Sequence, residues 1–290
     1  MRSSVLPSLK GPLVYIASDY SGTHKKSKYF VISILLADIY NSYDWEYSRR
    51  KIREKLLPDN RRMCFKSIAN DRYRRNALVP FLQAASSVEG LLASFIIRKS
   101  VKRLVTFPGL LDKWYDQLGL NGKWTEKQFE NMLRIANFVS ILIGAMGKTK
   151  QSIYWISDED EIFANSSKQK DVALMMSRLS SLYIKHQPGE LGVGTTTIDP
   201  GDRVEEDLVA VSDLAAGALA EIVQNLSKHP NYYKGKAAAI PTGLKPKTSL
   251  IYDWLCSSSK LKRTTIIFDK SNKGNFSVRK LEFEQSRIII

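Results

Sequence analysis

The chain is poor in the residues that staple or metallate proteins. It has two cysteines, Cys64 and Cys256, and three scattered histidines, His24, His186 and His229. A disulfide framework or a four-ligand Cys/His zinc site needs more than that. Long apolar runs are missing as well. Ile135 to Met146 is the longest, broken by Asn137 and Ser140, and it falls short of the roughly 20 residues that cross a bilayer. Met1 to Lys10 lacks the apolar core of a signal peptide. The expectation is a cytoplasmic protein with no membrane partner.

Acidic residues are also in short supply, 29 against 44 basic ones, for a net charge of +15. A balance this basic favours a polyanionic partner, nucleic acid first. The excess is concentrated. Arg49 to Arg75 holds eleven basic residues against Glu54, Asp59 and Asp71, with Tyr43, Trp45, Tyr47 and Tyr73 in or beside the run. Such a segment suits a phosphate backbone and stacked bases. A solvated helix face is the plain alternative. A second basic stretch runs from Lys260 to Lys280, while acidic residues gather at Asp158-Glu159-Asp160-Glu161 and from Asp199 to Asp207.

What is present otherwise is an ordinary globular composition, 43% hydrophobic over 290 residues, enough for one large or two modest domains. Leu13 to Ser18 and Tyr29 to Ile39 read as strands about a turn at Tyr20-Ser21-Gly22, a hairpin. Tyr40 to Leu57 has helical spacing and stops at Pro58, Arg61 to Ile68 suggests a short strand, and Asp71 to Ser87 a helix with Pro80 as a kink or an early stop. Leu91 to Lys99 reads as a strand. The segment 101–148, with an apolar helix over Phe129 to Met146, looks like an insertion. Ser152 to Ser157 is a short strand running into the acidic cluster. Lys168 to Lys185 is helical with a stripe of Val172, Met175, Met176, Leu179 and Leu182 expected in the core. A strand over Leu191 to Ile198 and a helix over Val204 to Leu226 follow. The helix is small at its middle, Ala215-Ala216-Gly217-Ala218, as close packing on a sheet requires. A Lys/Gly/Pro loop and a hairpin about Asn272-Lys273-Gly274-Asn275 close the chain.

Three apparent motifs carry nothing. Gly144-Ala145-Met146-Gly147-Lys148-Thr149 imitates a phosphate loop, but Leu142 stands where its first glycine belongs and a helix precedes it. Gly189, Gly192 and Gly194 have the wrong spacings for a dinucleotide fingerprint. Ser86-Ser87 and Ser257-Ser258-Ser259 lack a nucleophile-elbow context. Carboxylates remain. Asp19 ends the first strand, Asp158 ends the Ile153 to Ser157 strand, and Asp213 sits among apolar residues of the small-residue helix. An aspartate beside apolar sheet residues loses hydration and must be paired or metal-bound to stay ionised. If the strands are neighbours and the helix crosses their ends, the three converge on a site for Mg²⁺ or Mn²⁺, which take oxygen ligands and bridge to phosphate oxygens. Taken singly, each is as readily a turn former or helix cap.

Asp19-Tyr20-Ser21-Gly22 after an apolar strand, with Lys28-Tyr29-Phe30-Val31-Ile32 opening the next, resembles the start of a widespread bacterial family of unknown function. Its members open with Asp-Glu-Ser-Gly and have an RNase H-like fold. Ser157-Asp158-Glu159 resembles that family's strand-end aspartate. Ser212-Asp213-Leu214-Ala215-Ala216-Gly217-Ala218 is similar to its late Ala-Asp-Leu-x-Ala-Gly helix, the most specific match. The likeness covers roughly Leu13 to Leu226. Tyr20 replaces an acidic residue and Ser212 an alanine, and Lys66 in Phe65-Lys66-Ser67 is matched to a family lysine near the site.

The resemblance implies an α/β fold, an RNase H-like mixed sheet flanked by helices over residues 1–230, with a helical insertion at about 101–148. Residues 231–290 form a C-terminal extension with a β-hairpin. The expected function is a metal-dependent nuclease or phosphoryl-transfer enzyme acting on DNA or RNA. Asp19, Asp158 and Asp213 are the expected catalytic residues and, with Glu159, the ligands of Mg²⁺ or Mn²⁺. Arg49, Arg50, Arg53, Arg61, Arg62, Lys66, Arg72, Arg74 and Arg75 are the expected nucleic-acid contacts. The rival reading is an inactive nucleic-acid-binding or scaffold protein on the same fold, favoured by the missing acid at position 20. A third has the basic patches bind an anionic membrane or partner. A homodimer or a protein partner stays open.

Overall fold

The structure, a computed structural model, describes residues 9–199, 201–228, 241–270 and 275–283. Its centre is a seven-stranded mixed sheet of β1 (Leu13–Ser21), β2 (Tyr29–Ala37), β3 (Gly90–Arg98), β4 (Ser152–Ser157), β5 (Leu191–Thr195), β6 (Lys262–Lys270) and β7 (Phe276–Lys280). Across the sheet the strands run β5-β4-β1-β2-β3-β6-β7. β2 is antiparallel to β1 and β3, while β4 is parallel to β1 and to β5. The hairpin followed by parallel strands is the mixed sheet the resemblance implied. Gly22 has φ +83° and a Cβ there would meet the Tyr29 carbonyl oxygen at 2.2 Å, so the turn after β1 requires glycine.

Nine apolar or small residues in a row make β2 a strand buried on both faces. Its side chains divide by parity. Tyr29, Val31, Leu35 and Ala37 join one core, and Phe30, Ile32, Ile34 and Leu36 join the other. The first core is covered by α1 (Tyr43–Leu56), α2 (Arg72–Ala85), α6 (Val204–Leu226) and α7 (Pro246–Cys256). The second is covered by α3 (Leu110–Leu118), α4 (Glu126–Met146) and α5 (Ser166–Tyr183). The segment 101–148, expected as an insertion, supplies two of the three helices on this face of the sheet. By length and composition α4 could cross a bilayer, yet 78% of its most apolar window is buried inside the protein. Its start is fixed by a capping box between Thr125 and Gln128.

Several sequence expectations are corrected here. The stretch 61–68 forms turns rather than a strand, because its backbone and guanidinium groups bond locally, as when Arg61 takes Asp59 and Asp71. Pro80 sits inside α2 without ending it. Leu182 is exposed, unlike Val172, Met175 and Met176 of the same stripe. β1 runs on past Asp19 to Ser21. The expected C-terminal hairpin is present as β6 and β7, and it extends the sheet because β6 pairs in parallel with β3. Its tip at 272–274, His229, residues 1–8 and most of the Lys/Gly/Pro loop lie outside the described residues.

The basic segment pins α1 to the start of α6. Arg49 is 1% exposed and donates to Glu46, Asp202 and Asp207, while Arg53 forks onto Asp207 at 2.6 and 2.8 Å and reaches Glu206. Both were expected on a nucleic-acid face. Their N–H groups are instead spent inside the protein, so they hold helices together. Asp207→Ala would leave two buried guanidinium groups short of their partner, which costs about 3–5 kcal/mol. Chemical denaturation should show that loss, with no comparable change for Arg50→Gln, whose side chain is largely exposed.

Candidate active site

The carboxylates that matter lie at one end of the sheet, where β1 and β4 finish and α6 passes. α6 can sit this close because Ala215, Ala216, Gly217 and Ala218 are small, and Ser212 Oγ donates to the Ala17 carbonyl at 2.8 Å. One turn beyond Asp213, Gly217 faces Phe65, whose ring would lie 2.3 Å from an added Cβ. That approach lets the Phe65 N–H donate to Asp213 Oδ2 at 2.7 Å. Asp19 lies opposite on β1, its Oδ1 accepting the Tyr20 N–H at 2.6 Å. Its register partner Ser33 faces Ser94, and the two hydroxyls bond at 2.8 Å in the core. Burial first, and then the charge on Asp213, hold the Asp19 carboxyl well above the usual aspartate range.

Asp158 follows β4 and pairs with Arg62, Nη1 to Oδ2 at 2.6 Å, while Oδ1 accepts from Thr196. Burial alone would lower the Arg62 guanidinium, but Asp158, Asp213 and Asp19 together hold it above its ordinary value. Arg62 is thus the cation the three aspartates share. Its Nε is buried without a partner among the described residues, and its carbonyl is held by Arg74 Nε at 2.6 Å. Glu159, expected as a metal ligand, is exposed and takes no part in this cluster. The next residue turns inward instead. Asp160 Oδ1 accepts from the Ile162 and Phe163 N–H groups, Oδ2 is buried without a partner, and the carboxyl faces the Tyr20 phenol. Burial lifts the Asp160 pKa to about 6.

Among the remaining candidates, Arg61 and Arg74 are held by Asp71 and Arg50 by Glu46 and Asp202. Lys66, Arg72 and Arg75 are exposed with no acidic partner among the described residues. Lys66 does not occupy the position by Asp213. Lys247 does: its Nζ donates to the Phe65 carbonyl at 2.8 Å and lies 3.8 Å from the Phe65 ring centre, and burial, chiefly, depresses its pKa. Asp160, Tyr20 and Lys247 escaped the sequence reading. Asp160 had a signal, an aspartate two residues before Ile162-Phe163 in turn spacing; Lys247 had none, since it arrives from α7.

Among the described residues no three His, Cys, Asp or Glu side chains form a ready metal cage. Magnesium is commonly held by only one or two carboxylates together with substrate phosphates. Asp19 and Asp213, half-buried and near each other with Arg62 as their shared counter-charge, fit that smaller donor set.

No family model and no curated protein matches the chain. Among solved structures it is similar to ribonuclease H2 from Pyrococcus horikoshii OT3, at 12% identity and a TM-score of 0.35, over 83% of this chain and 85% of that one. It is also similar to a structure of the PCNA:RNase HII complex from Archaeoglobus fulgidus, at 11% identity and a TM-score of 0.35, over 86% and 93%. The chain has a mixed α/β fold, a seven-stranded sheet flanked by helices on both faces.

Two measurements bear on this geometry. Gly217→Ala should displace Phe65, lengthen its bond to Asp213 and cost about 1–3 kcal/mol by overpacking, read from denaturation midpoints. For Asp160, the folded state keeps a proton that the unfolded chain releases near the ordinary aspartate value. Its contribution therefore falls as pH rises from about 4 through about 6 and is constant above. Asp160→Asn should remove up to about 3 kcal/mol of that decline in stability curves recorded in EDTA.

Proposed function

We propose that this protein is a divalent-metal-dependent nuclease, with Asp19 and Asp213 as the metal-holding pair and Asp158 at the margin of the site. The observation that carries the reading is the meeting of Asp19 and Asp213 across β1 and α6, two half-buried acids near enough for the charge of Asp213 to raise the Asp19 pKa. Nothing in packing alone requires such a pair. A bound Mg²⁺ or Mn²⁺ would neutralise the acids and stabilise charge on a phosphodiester's oxygens. The chain's own groups do the rest. The Phe65 N–H and the Tyr20 N–H orient the two carboxylates, Lys247 keeps the Phe65 peptide in place, and Arg62 supplies positive charge toward a phosphate. Lys66, Arg72 and Arg75 offer exposed cations on the 65–75 segment for the strand's backbone.

One observation favours a second reading, a nucleic-acid-binding protein that does not cut. Arg62 already neutralises Asp158 and lies beside Asp19 and Asp213, so it can serve as a permanent counter-ion. The two readings part on metal. Under the nuclease reading, Mn²⁺ at millimolar concentration raises the melting temperature, because a ligand of the native state stabilises it by mass action. Asp19→Asn and Asp213→Asn should each melt higher than wild type in EDTA, lose the metal response, and lose phosphodiester cleavage. A wild-type protein indifferent to Mn²⁺ and Mg²⁺ would leave the non-cutting reading.

Binding has its own readout. Lys66→Gln, Arg72→Gln and Arg75→Gln combined should weaken nucleic-acid affinity and flatten the slope of log affinity against log salt by about two to three, if each contacts one phosphate. The metal response should persist. Unchanged affinity and slope in filter binding would make this segment a solvated face.

A further inference from the structure

On the opposite face of the sheet from α6, at the same end as the carboxylates, a cleft of about 370 Å³ lies between the loop after β3 and the first turns of α4. That volume falls in the range of small-ligand sites, roughly 300–1,000 Å³. Its floor is Phe30 and Val101, both buried, and its wall is cationic. The two acids of the cleft are already taken. Glu130 accepts the N–H groups of Leu104, Val105 and Thr106 and pairs with Arg134, and Glu126 pairs with Arg103. Lys99, Lys102 and Lys127 are left without an acidic partner among the described residues. Lys99 donates only to the His24 carbonyl, at 2.6 Å.

A second observation points the same way. Asn131 is 7% exposed and lines the cleft, yet its amide has no hydrogen-bond partner among the described residues. The amide opens on the cleft, where it can both donate to and accept from a ligand. The first turn of α4 opens on the same space, adding its partial positive charge.

We infer that this cleft binds a phosphate-ester anion of nucleotide size, its phosphate on Lys99, Lys102 and Lys127, its polar edge on Asn131, and its apolar body against Phe30 and Val101. The unfilled positive potential has a separate trace. Burial, and then the Lys127 charge, hold the Lys99 ammonium below its usual range, the state that an arriving anion relieves. A free nucleotide and the terminal phosphate of a nucleic-acid strand share this chemistry. The site stands apart from the carboxylate pair, so either assignment can fail without the other.

Calorimetry on the full chain in EDTA tests it, with ADP, inorganic pyrophosphate and a short oligonucleotide, with and without a 5′-phosphate, as probes. ADP or the 5′-phosphorylated strand should bind with Kd below about 1 mM, more weakly as salt rises. Lys102→Gln with Lys127→Gln, both exposed positions, should weaken that binding at least tenfold at unchanged melting temperature. Asn131→Asp should abolish it by placing a carboxylate against the anion. A tenfold preference for the 5′-phosphorylated strand over ADP assigns a strand end as the source, and the reverse assigns a free nucleotide. Absence of binding by every probe, or binding unchanged in the double variant, overturns the inference.

Discussion

The seating of α6 on β1 governs the rest of the molecule. Small residues at the centre of α6 and the bond from Ser212 to the Ala17 carbonyl bring helix and strand into near contact. Two aspartates on the facing surfaces then share a poorly hydrated space. Repulsion between them works against folding, and the structure offsets it with two backbone N–H donors and the Arg62 guanidinium. Proteins seldom retain such an arrangement for stability, since apolar residues in its place pack at lower cost. That imbalance is why a chemical role is the economical explanation.

The basic character of the chain divides into two kinds once the folds of its side chains are known. Arg49, Arg53, Arg61 and Arg74 are internal fasteners, each bonded to carboxylates within the protein. Lys66, Arg72 and Arg75 on one face of the sheet, and Lys99, Lys102 and Lys127 on the other, are among the cations with no acidic partner among the described residues. Counting residues along the chain cannot separate the two kinds. Only the positions of Asp71, Asp202 and Asp207, brought in by turns and by α6, decide which arginines are consumed.

The strands and α6 were legible because their patterns are strong. β2 is a run of apolar residues too long and too β-branched for a surface element, and α6 reads as a helix from Val204 to Leu226 in sequence and structure alike. Asp19 and Asp213 stood out in the sequence for the same reason, as charges in apolar surroundings. Glu159 was misjudged because four consecutive acids give no phase, and the turn after β4 sends Asp160 inward while Glu159 faces water. The 61–68 segment failed as a strand because local hydrogen bonding holds it, as between Arg61 and Asp59 and between Ser67 and Cys64. Lys247 was beyond reach, since its place beside Asp213 depends on α7 packing against α6, a tertiary fact with no local signature.

The bond between Ser212 and Ala17 joins residues 195 apart in the chain, and the Phe65 contact to Asp213 spans 148. Closing loops of that length comes late in folding, after the β1–β2–β3 meander and its local turns have formed. During synthesis, β1 is exposed long before α6 leaves the ribosome, with Asp19 facing solvent and no second acid to complete it. The site is therefore assembled only when most of the chain exists. Fragments cut short before position 213 contain the sheet's first strands and the cationic segment but no acid pair.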